Sequence, residues 1–163
     1  AYAELTQAGY DAVKEALPQA QVIIHLDGGC DPARYDFIFD GLRQYGAKWD
    51  MIGLSVYPYW DVEASLTKSW QETVDKFAAN IRRLAKKYGT DAMVVETGVE
   101  AAKPKEGKKI LSAIIDAAQN KTDGHCHGVF YWAPELEGAY PLGAFQNNRP
   151  TEIMDAFSEA ANK

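Results

Sequence analysis

The sequence has few of the features that define a function at once. It holds two cysteines in 163 residues, Cys30 and Cys126. Cys30 follows a predicted strand and Cys126 precedes one, so in a parallel sheet they lie at opposite ends, too far apart for a disulfide. We expect two free thiols, which leaves the redox compartment open. No run approaches the roughly 20 apolar residues of a membrane helix, so a membrane is not expected as a partner.

Basic residues are also scarce. The 17 lysines and arginines are outnumbered by 23 aspartates and glutamates, and the net charge is −6. The basic residues form no stripe, which disfavours nucleic acid as a partner. Because 47% of the residues are hydrophobic, a single domain spanning residues 1–163 can bury a core. The chain does not begin with Met and shows no signal peptide, so we expect a mature form or a piece of a longer chain.

A glycine-rich phosphate loop is missing too. The turn after the first predicted strand reads Asp27-Gly28-Gly29-Cys30-Asp31. This turn does not match Gly-x-Gly-x-x-Gly, and acidic residues flank it. We therefore expect no dinucleotide and predict no other cofactor.

What the chain does have is a regular alternation of two hydrophobic periods. Helical spacing predicts helices over residues 3–17, 32–46, 66–88, 110–118 and 150–160. Short apolar runs predict strands over residues 21–26, 49–56, 92–97 and 127–132. This order favours parallel strands with right-handed crossovers, hence an α/β class. Both a doubly wound sheet and part of a (β/α)8 barrel fit, and four βα units are half of such a barrel.

The third predicted strand ends in a carboxylate. It reads Ala92-Met93-Val94-Val95-Glu96-Thr97 and is broken by Gly98. Charges rarely enter buried strands unpaired, and α/β folds place their chemistry at the carboxyl ends of strands. Glu96 is therefore the leading catalytic candidate, although such a residue can also simply mark where a strand reaches solvent.

Polar and aromatic side chains follow the other predicted strands as well. Carboxylates among aromatics, without arginine or lysine, suit a sugar, because apolar sugar faces stack on aromatic rings and hydroxyls pair with carboxylates. Retaining glycosidases need two carboxylates, and no convincing partner for Glu96 stands at the end of a strand. The residues at these strand ends are His25, Asp27, Ser55, Tyr57, Tyr59, Trp60, Tyr131, Trp132 and Glu135.

Several segments resemble one family. The segments 24–27, 52–60, 94–97 and 128–135 look like the last four strands of glycoside hydrolase family 53, the endo-β-1,4-galactanases. Gly143-Ala144-Phe145, followed by Asn148-Arg149-Pro150-Thr151, looks like the closing segment of that family. The resemblance implies a (β/α)8 TIM-barrel enzyme, represented here by roughly its last four βα units, a half-barrel.

The resemblance also implies roles for single residues. Glu96 matches the nucleophile, and Tyr57 matches the position whose hydroxyl steadies it. Trp132 matches the aromatic floor under the sugar. His25 and Asp27 match substrate-facing positions, although a hydrogen-bonded pair that holds the turn remains open for them.

Two further aromatic residues, Tyr59 and Trp60, are predicted on a loop. They suit either a sugar platform or a lid, and the sequence leaves both open.

The chain departs from the family pattern at the acid/base, in the loop after the third predicted strand, and at Val56, where many relatives have a further Tyr. The acid/base glutamate of the family follows an asparagine, and no Asn-Glu pair occurs here. Strands one to four are thus expected to be missing, and the missing N-terminal half or a second copy of the chain becomes a possible partner. The loop 98–105 is short and contains Lys103 and Lys105, so the calcium site of some bacterial members is not predicted.

His125-Cys126-His127 lies at the start of a strand, away from the site, and no zinc is predicted there either.

The implied function is a retaining endo-glycosidase that hydrolyses internal β-1,4-galactosidic bonds of galactan or arabinogalactan. This chain would carry the nucleophile but not the acid/base, and alone it would be inactive. The parent would act outside the cell or in the periplasm. Two alternatives stay open: a non-catalytic, galactan-binding or self-assembling half-barrel, and another retaining glycosidase of the same barrel clan, such as a mannanase or cellulase.

Overall fold

The structure is a computed structural model that describes residues 1–162. Its helices are α1 Tyr2–Ala16, α2 Pro32–Gln44, α3 Pro58–Glu63, α4 Trp70–Tyr88, α5 Pro104–Asn120 and α6 Asp155–Ala161, with a 3₁₀ turn at Glu152–Met154. Its strands are β1 Ile23–Leu26, β2 Met51–Val56, β3 Ala92–Thr97, β4 Cys126–Val129, β5 Phe145–Gln146 and β6 Arg149–Pro150.

The strand order distinguishes between the two folds that the sequence left open. The strands β1 to β4 form one parallel sheet in the order β1-β2-β3-β4, so neighbours in the chain are neighbours in the sheet. A doubly wound sheet reverses its order at a switch point, whereas a barrel adds each strand beside the previous one. Four consecutive βα units of a barrel therefore account for the topology. Within residues 1–162, β1 pairs only with β2, and β4 pairs only with β3.

Local signals in the sequence set the helix boundaries. Asp31 accepts hydrogen bonds from Ala33 N and Arg34 N at the start of α2, and Pro32 occupies the first helical position. Ser69 accepts a hydrogen bond from Glu72 N and begins α4. The predicted start of this helix at residue 66 was therefore wrong, because the cap comes later. Left-handed Gly89 ends α4 as predicted.

The core lies between the sheet and the helices. All six residues of β2 are buried. Alternate strand residues such as Ile52, Leu54 and Val94 are fully buried on the helix side, in one hydrophobic core with Phe77 and Ile81 of α4. Both cysteines are free, as predicted, and Cys30 is buried.

Three segments differ from the prediction. Tyr59 and Trp60 lie on the short helix α3 rather than on a loop, because Pro58 opens a turn directly after β2. The predicted final strand ends at Val129 instead of Trp132, although Trp132 N still donates to Thr97 O at 2.9 Å. The stretch predicted as a loop before residue 149 contains the two-stranded ribbon β5–β6. Among residues 1–162, every helix is too short or too polar to span a bilayer.

Candidate active site

Glu96, at the carboxyl end of β3, is held by two hydroxyl groups. Ser55 Oγ donates to Glu96 Oε2 at 3.0 Å, and Tyr57 OH donates to the same oxygen at 3.3 Å. Ser55 lies in β2, and Tyr57 directly follows that strand. The nucleophile candidate and both of its donors are thus fixed by two adjacent, hydrogen-bonded strands.

A break in the register between β2 and β3 directs Glu96 toward these donors. Leu54 is opposite Val94, but the next residue of β2, Ser55, is opposite Glu96, so Val95 is an extra residue in β3. Without this bulge, Glu96 would share a face with Ala92 and Val94, which are fully buried against the helices. The bulge moves the carboxylate to the face of the sheet that points away from the helices, here called the inner face.

His25 extends the network on the inner face into β1. Its Nε2 lies 2.7 Å from Ser55 Oγ. Position 53 on this face has no room for a side chain, since a Cβ there would approach the Cγ2 atoms of Ile23 and Val95 to 2.9 Å. Three neighbouring strands therefore contribute the connected groups His25, Ser55 and Glu96.

Aromatic rings stand beside the carboxylate. Trp132 packs edge-on against Tyr140, with ring centroids 5.0 Å apart, and 42% of Trp132 is exposed. Burial, followed by the neighbouring Tyr140 and Glu96, raises the pKa of the Tyr57 hydroxyl far above its usual range. Tyr57 therefore keeps its proton and acts as a donor. Tyr140 was not predicted, because it lies in a long irregular segment with no periodic pattern.

Tyr131 supports the loop that carries Tyr140, and its hydroxyl group bonds to backbone groups and not to Glu96. Its hydroxyl accepts a hydrogen bond from Val99 N at 3.0 Å and lies 2.9 Å from both Leu142 O and Gly143 O. Burial raises the pKa of Tyr131 to about 12. The side chain thus ties the segment after β3 to the loop that carries Tyr140.

The other predicted substrate-contact residues are spread more widely. Asp27 forms an ion pair with Arg34 of α2, and its side chain is 75% exposed. His25 and Asp27 therefore have different partners and do not form the pair that could hold the turn.

On α3, Tyr59 and Trp60 pack edge to face, with ring centroids 4.6 Å apart. Tyr59 lines a cavity of about 300 Å³ together with Trp70, Glu63 and Glu100. Trp60 is 42% exposed.

No metal site is evident in the described part of the chain: residues 1–162 contain no group of three or more His, Cys, Asp or Glu side chains placed to hold an ion. His125 Nδ1 and His127 Nε2 instead contact the two carboxylate oxygens of Asp91, at 2.8 and 2.7 Å. These hydrogen bonds lower the pKa of Asp91. The cluster lies where β3 and β4 begin, at the end of the sheet opposite Glu96.

Comparison with known proteins identifies relatives. The family model of glycosyl hydrolase family 53 matches residues 1–109. A probable arabinogalactan endo-beta-1,4-galactanase A of Neosartorya fischeri is 27% identical in an alignment 148 positions long that covers 78% of this chain and 39% of the relative. An endo-beta-1,4-galactanase of Bacillus subtilis is 24% identical in an alignment 168 positions long, gaps included, that covers 90% of this chain and 37% of the relative.

The fold is shared with a solved structure. The GH53 catalytic domain of Ignisphaera aggregans matches with a TM-score of 0.76 at 21% identity, over 96% of this chain and 51% of that one. This chain thus spans less than half of the two curated relatives and about half of the solved domain. The predicted (β/α)8 TIM-barrel class is confirmed, with about four βα units present. Because the family model matches 109 of its 163 residues, the chain belongs to glycosyl hydrolase family 53.

Proposed function

We propose that this chain carries the nucleophile of a retaining endo-β-1,4-galactanase that cuts internal bonds of galactan or arabinogalactan. The observation that carries the proposal is the setting of Glu96. Its Oε2 accepts from Ser55 and Tyr57, while its Oε1 accepts no hydrogen bond from any group within residues 1–162. The names of the relatives from Neosartorya fischeri and Bacillus subtilis support the substrate class.

The proposed chemistry is double displacement. The free oxygen of Glu96 attacks the anomeric carbon as the bond to the leaving sugar oxygen breaks and that oxygen takes a proton from the acid/base, which gives a glycosyl ester on Glu96. Water then attacks the same carbon, gives its proton back to the acid/base, and releases the carboxylate of Glu96. Trp132 offers an exposed ring on which the apolar face of galactose can stack.

The acid/base is proposed to come from outside residues 1–162. Within that range, no carboxylate shares a hydrogen-bond partner with Glu96. Two acidic side chains near the carboxyl ends of the strands are already paired, Asp27 with Arg34 and Glu100 with Lys103. We propose that a partner, either an N-terminal half-barrel or a second copy of the chain, pairs with the free edges of β1 and β4 and supplies the acid.

An activated substrate tests Glu96 without that acid, because a good leaving group departs without protonation. We would incubate the chain with 2,4-dinitrophenyl 2-deoxy-2-fluoro-β-galactoside and locate the adduct by peptide mass spectrometry. The expected result is an ester on Glu96 that is absent from the Glu96→Gln variant, which keeps the side-chain size. A chain that stays unlabelled at saturating probe would contradict a preorganised nucleophile.

The same assay separates galactanase from another retaining glycosidase. The matching glucoside differs only at C4, so a galactan enzyme should label more slowly with it. Faster labelling by the glucoside would instead favour a mannanase- or cellulase-like specificity, since their sugars share the configuration of glucose at C4.

A non-catalytic half-barrel remains the second candidate, because β1 and β4 have free edges and no acid/base is in place within residues 1–162. Under that function the wild-type chain would bind galactan or self-associate and would give no adduct. Light scattering with and without galactan measures both properties.

We also propose that the parent works outside the cell or in the periplasm. Galactan is a polymer that cannot enter a cell intact, so an enzyme that cuts internal bonds must meet it outside. Detection of the parent in the culture medium or periplasm would support this location, and its retention in the cytoplasm would contradict it.

A further inference from the structure

We infer that His25 and Ser55 form a directional hydrogen-bond relay that positions Glu96 and determines which of its oxygens attacks. The inference rests on the proposed function, because it concerns the same nucleophile. It assigns to His25 and Ser55 the part of positioning residues, which act on the reaction through Glu96.

Counting protons gives the relay its direction. A nucleophilic carboxylate is ionised and can only accept, so the single Ser55 hydroxyl proton must lie in the 3.0 Å contact to Glu96 Oε2. Ser55 Oγ has then no proton left for His25 Nε2, which lies 2.7 Å away. His25 must therefore donate from Nε2, and the proton order runs from His25 to Ser55 to Glu96.

The relay makes the two oxygens of Glu96 unequal. Oε2 receives protons from Ser55 and from Tyr57, which stabilise negative charge on that atom. Oε1 receives none from residues 1–162 and keeps its lone pairs for the anomeric carbon. Ser55 is only 4% exposed, so water cannot easily replace it as a donor.

The same proton order gives His25 a second use. A neutral imidazole with its proton on Nε2 has an acceptor at Nδ1. His25 is an exposed residue, and no group within residues 1–162 bonds to its Nδ1. A sugar hydroxyl that donates to Nδ1 would make Nε2–H a stronger donor to Ser55. Substrate binding would thereby strengthen the hydrogen bond from Ser55 to Glu96.

Nuclear magnetic resonance of the ¹⁵N-histidine-labelled chain tests the direction without any catalysis. We expect the Nε2 of His25 to carry the proton in the wild-type chain at a pH where the ring is neutral. A proton on Nδ1 with an unprotonated Nε2 would mean that Ser55 donates to His25 instead, and the relay would be overturned. His127 provides the comparison ring at the other end of the sheet.

A double-mutant cycle tests the coupling. The measured quantity is the rate of Glu96 labelling by the fluorosugar for His25→Ala, Ser55→Ala and the double variant. Ser55→Ala should slow labelling about 10-fold or more, as expected for one hydrogen bond to a charged group, and His25→Ala should slow it by a smaller factor, because His25 bonds a neutral hydroxyl. The double variant should be no slower than Ser55→Ala, because His25 acts only through that hydroxyl.

Two variants separate positioning from damage to the fold. Ser55→Thr keeps a hydroxyl and should restore much of the rate, and His127→Ala should leave it unchanged. Losses that multiply in the double variant would overturn the relay. A wild-type chain that does not label would refute the proposed nucleophile, while the resonance experiment would still decide the proton order.

Discussion

The Asp61→Asn substitution should stabilise the chain increasingly as the pH rises. Asp61 lies in α3 and is only 5% exposed, and its Oδ2 is the one buried side-chain oxygen or nitrogen within residues 1–162 that lacks a hydrogen-bond partner. Burial raises the pKa of this carboxyl, against smaller lowering effects of hydrogen bonds from Cys30 and Thr73. The folded chain therefore holds the Asp61 proton more tightly than the unfolded chain does.

The sign of the pH dependence follows from that difference. The bound proton stabilises the fold fully below the ordinary carboxyl pKa of about 3.9, and this contribution is lost as the pH rises through the raised pKa of the folded state. Asparagine does not titrate, so the Asp61→Asn variant does not lose this stability as the pH rises. A buried, unpaired polar group costs about 1–3 kcal/mol, so the advantage of Asp61→Asn should grow by about that amount between pH 4 and 7.

Urea unfolding followed by tryptophan fluorescence measures this advantage as a difference in unfolding free energy at each pH. Glu15→Gln on the exposed side of α1 is the matched control, because it removes a carboxylate without changing a buried group. A gap between wild type and Asp61→Asn that stays constant or shrinks with rising pH would refute the reasoning.

Three further changes test the site and its support. Tyr57→Phe removes one donor to Glu96 Oε2 and should slow fluorosugar labelling about 10-fold while the urea midpoint stays near wild type; an unchanged rate would count against the contact. Tyr131→Phe leaves Val99 N and Leu142 O without their hydroxyl partner and should lower the unfolding free energy by about 1–3 kcal/mol; an unchanged free energy would count against a stabilising role of this hydroxyl. Gly53→Ala places a methyl 2.9 Å from two strand side chains and should cost about 1–3 kcal/mol in the same urea assay; unchanged stability would mean that the inner face can relax.

The alternation of strands and helices could be predicted from the sequence because its signals are local. Pro32, Gly89 and Ser69 act through their own backbone or through groups a few residues away, so they define boundaries wherever the chain folds. The predicted start of α4 was wrong because the apolar spacing from residue 66 was given more weight than the N-cap at Ser69. The α/β class thus followed from periodicity, whereas the barrel was predicted only through the family resemblance, and the strand order agrees with it.

The site was less accessible to sequence reasoning because its geometry depends on pairing between distant segments. Strict alternation from Ala92 would direct Glu96 toward the helices, and only the extra residue Val95 brings it opposite Ser55. A bulge depends on the partner strand and leaves no clear mark in a run of apolar residues. Tyr140 was missed for a similar reason, since its contact with Trp132 is made across an irregular loop.

The consecutive strand order has a consequence for how the chain reaches its fold. Paired residues such as Ile23 and Met51, Ile52 and Ala92, or Ala92 and Cys126 are between about 28 and 40 residues apart. Each strand can therefore dock on the one made just before it, without waiting for a distant part of the chain. During synthesis the sheet can grow by one βα unit at a time as the polypeptide leaves the ribosome, and Glu96 meets Ser55 as soon as β3 has joined β2.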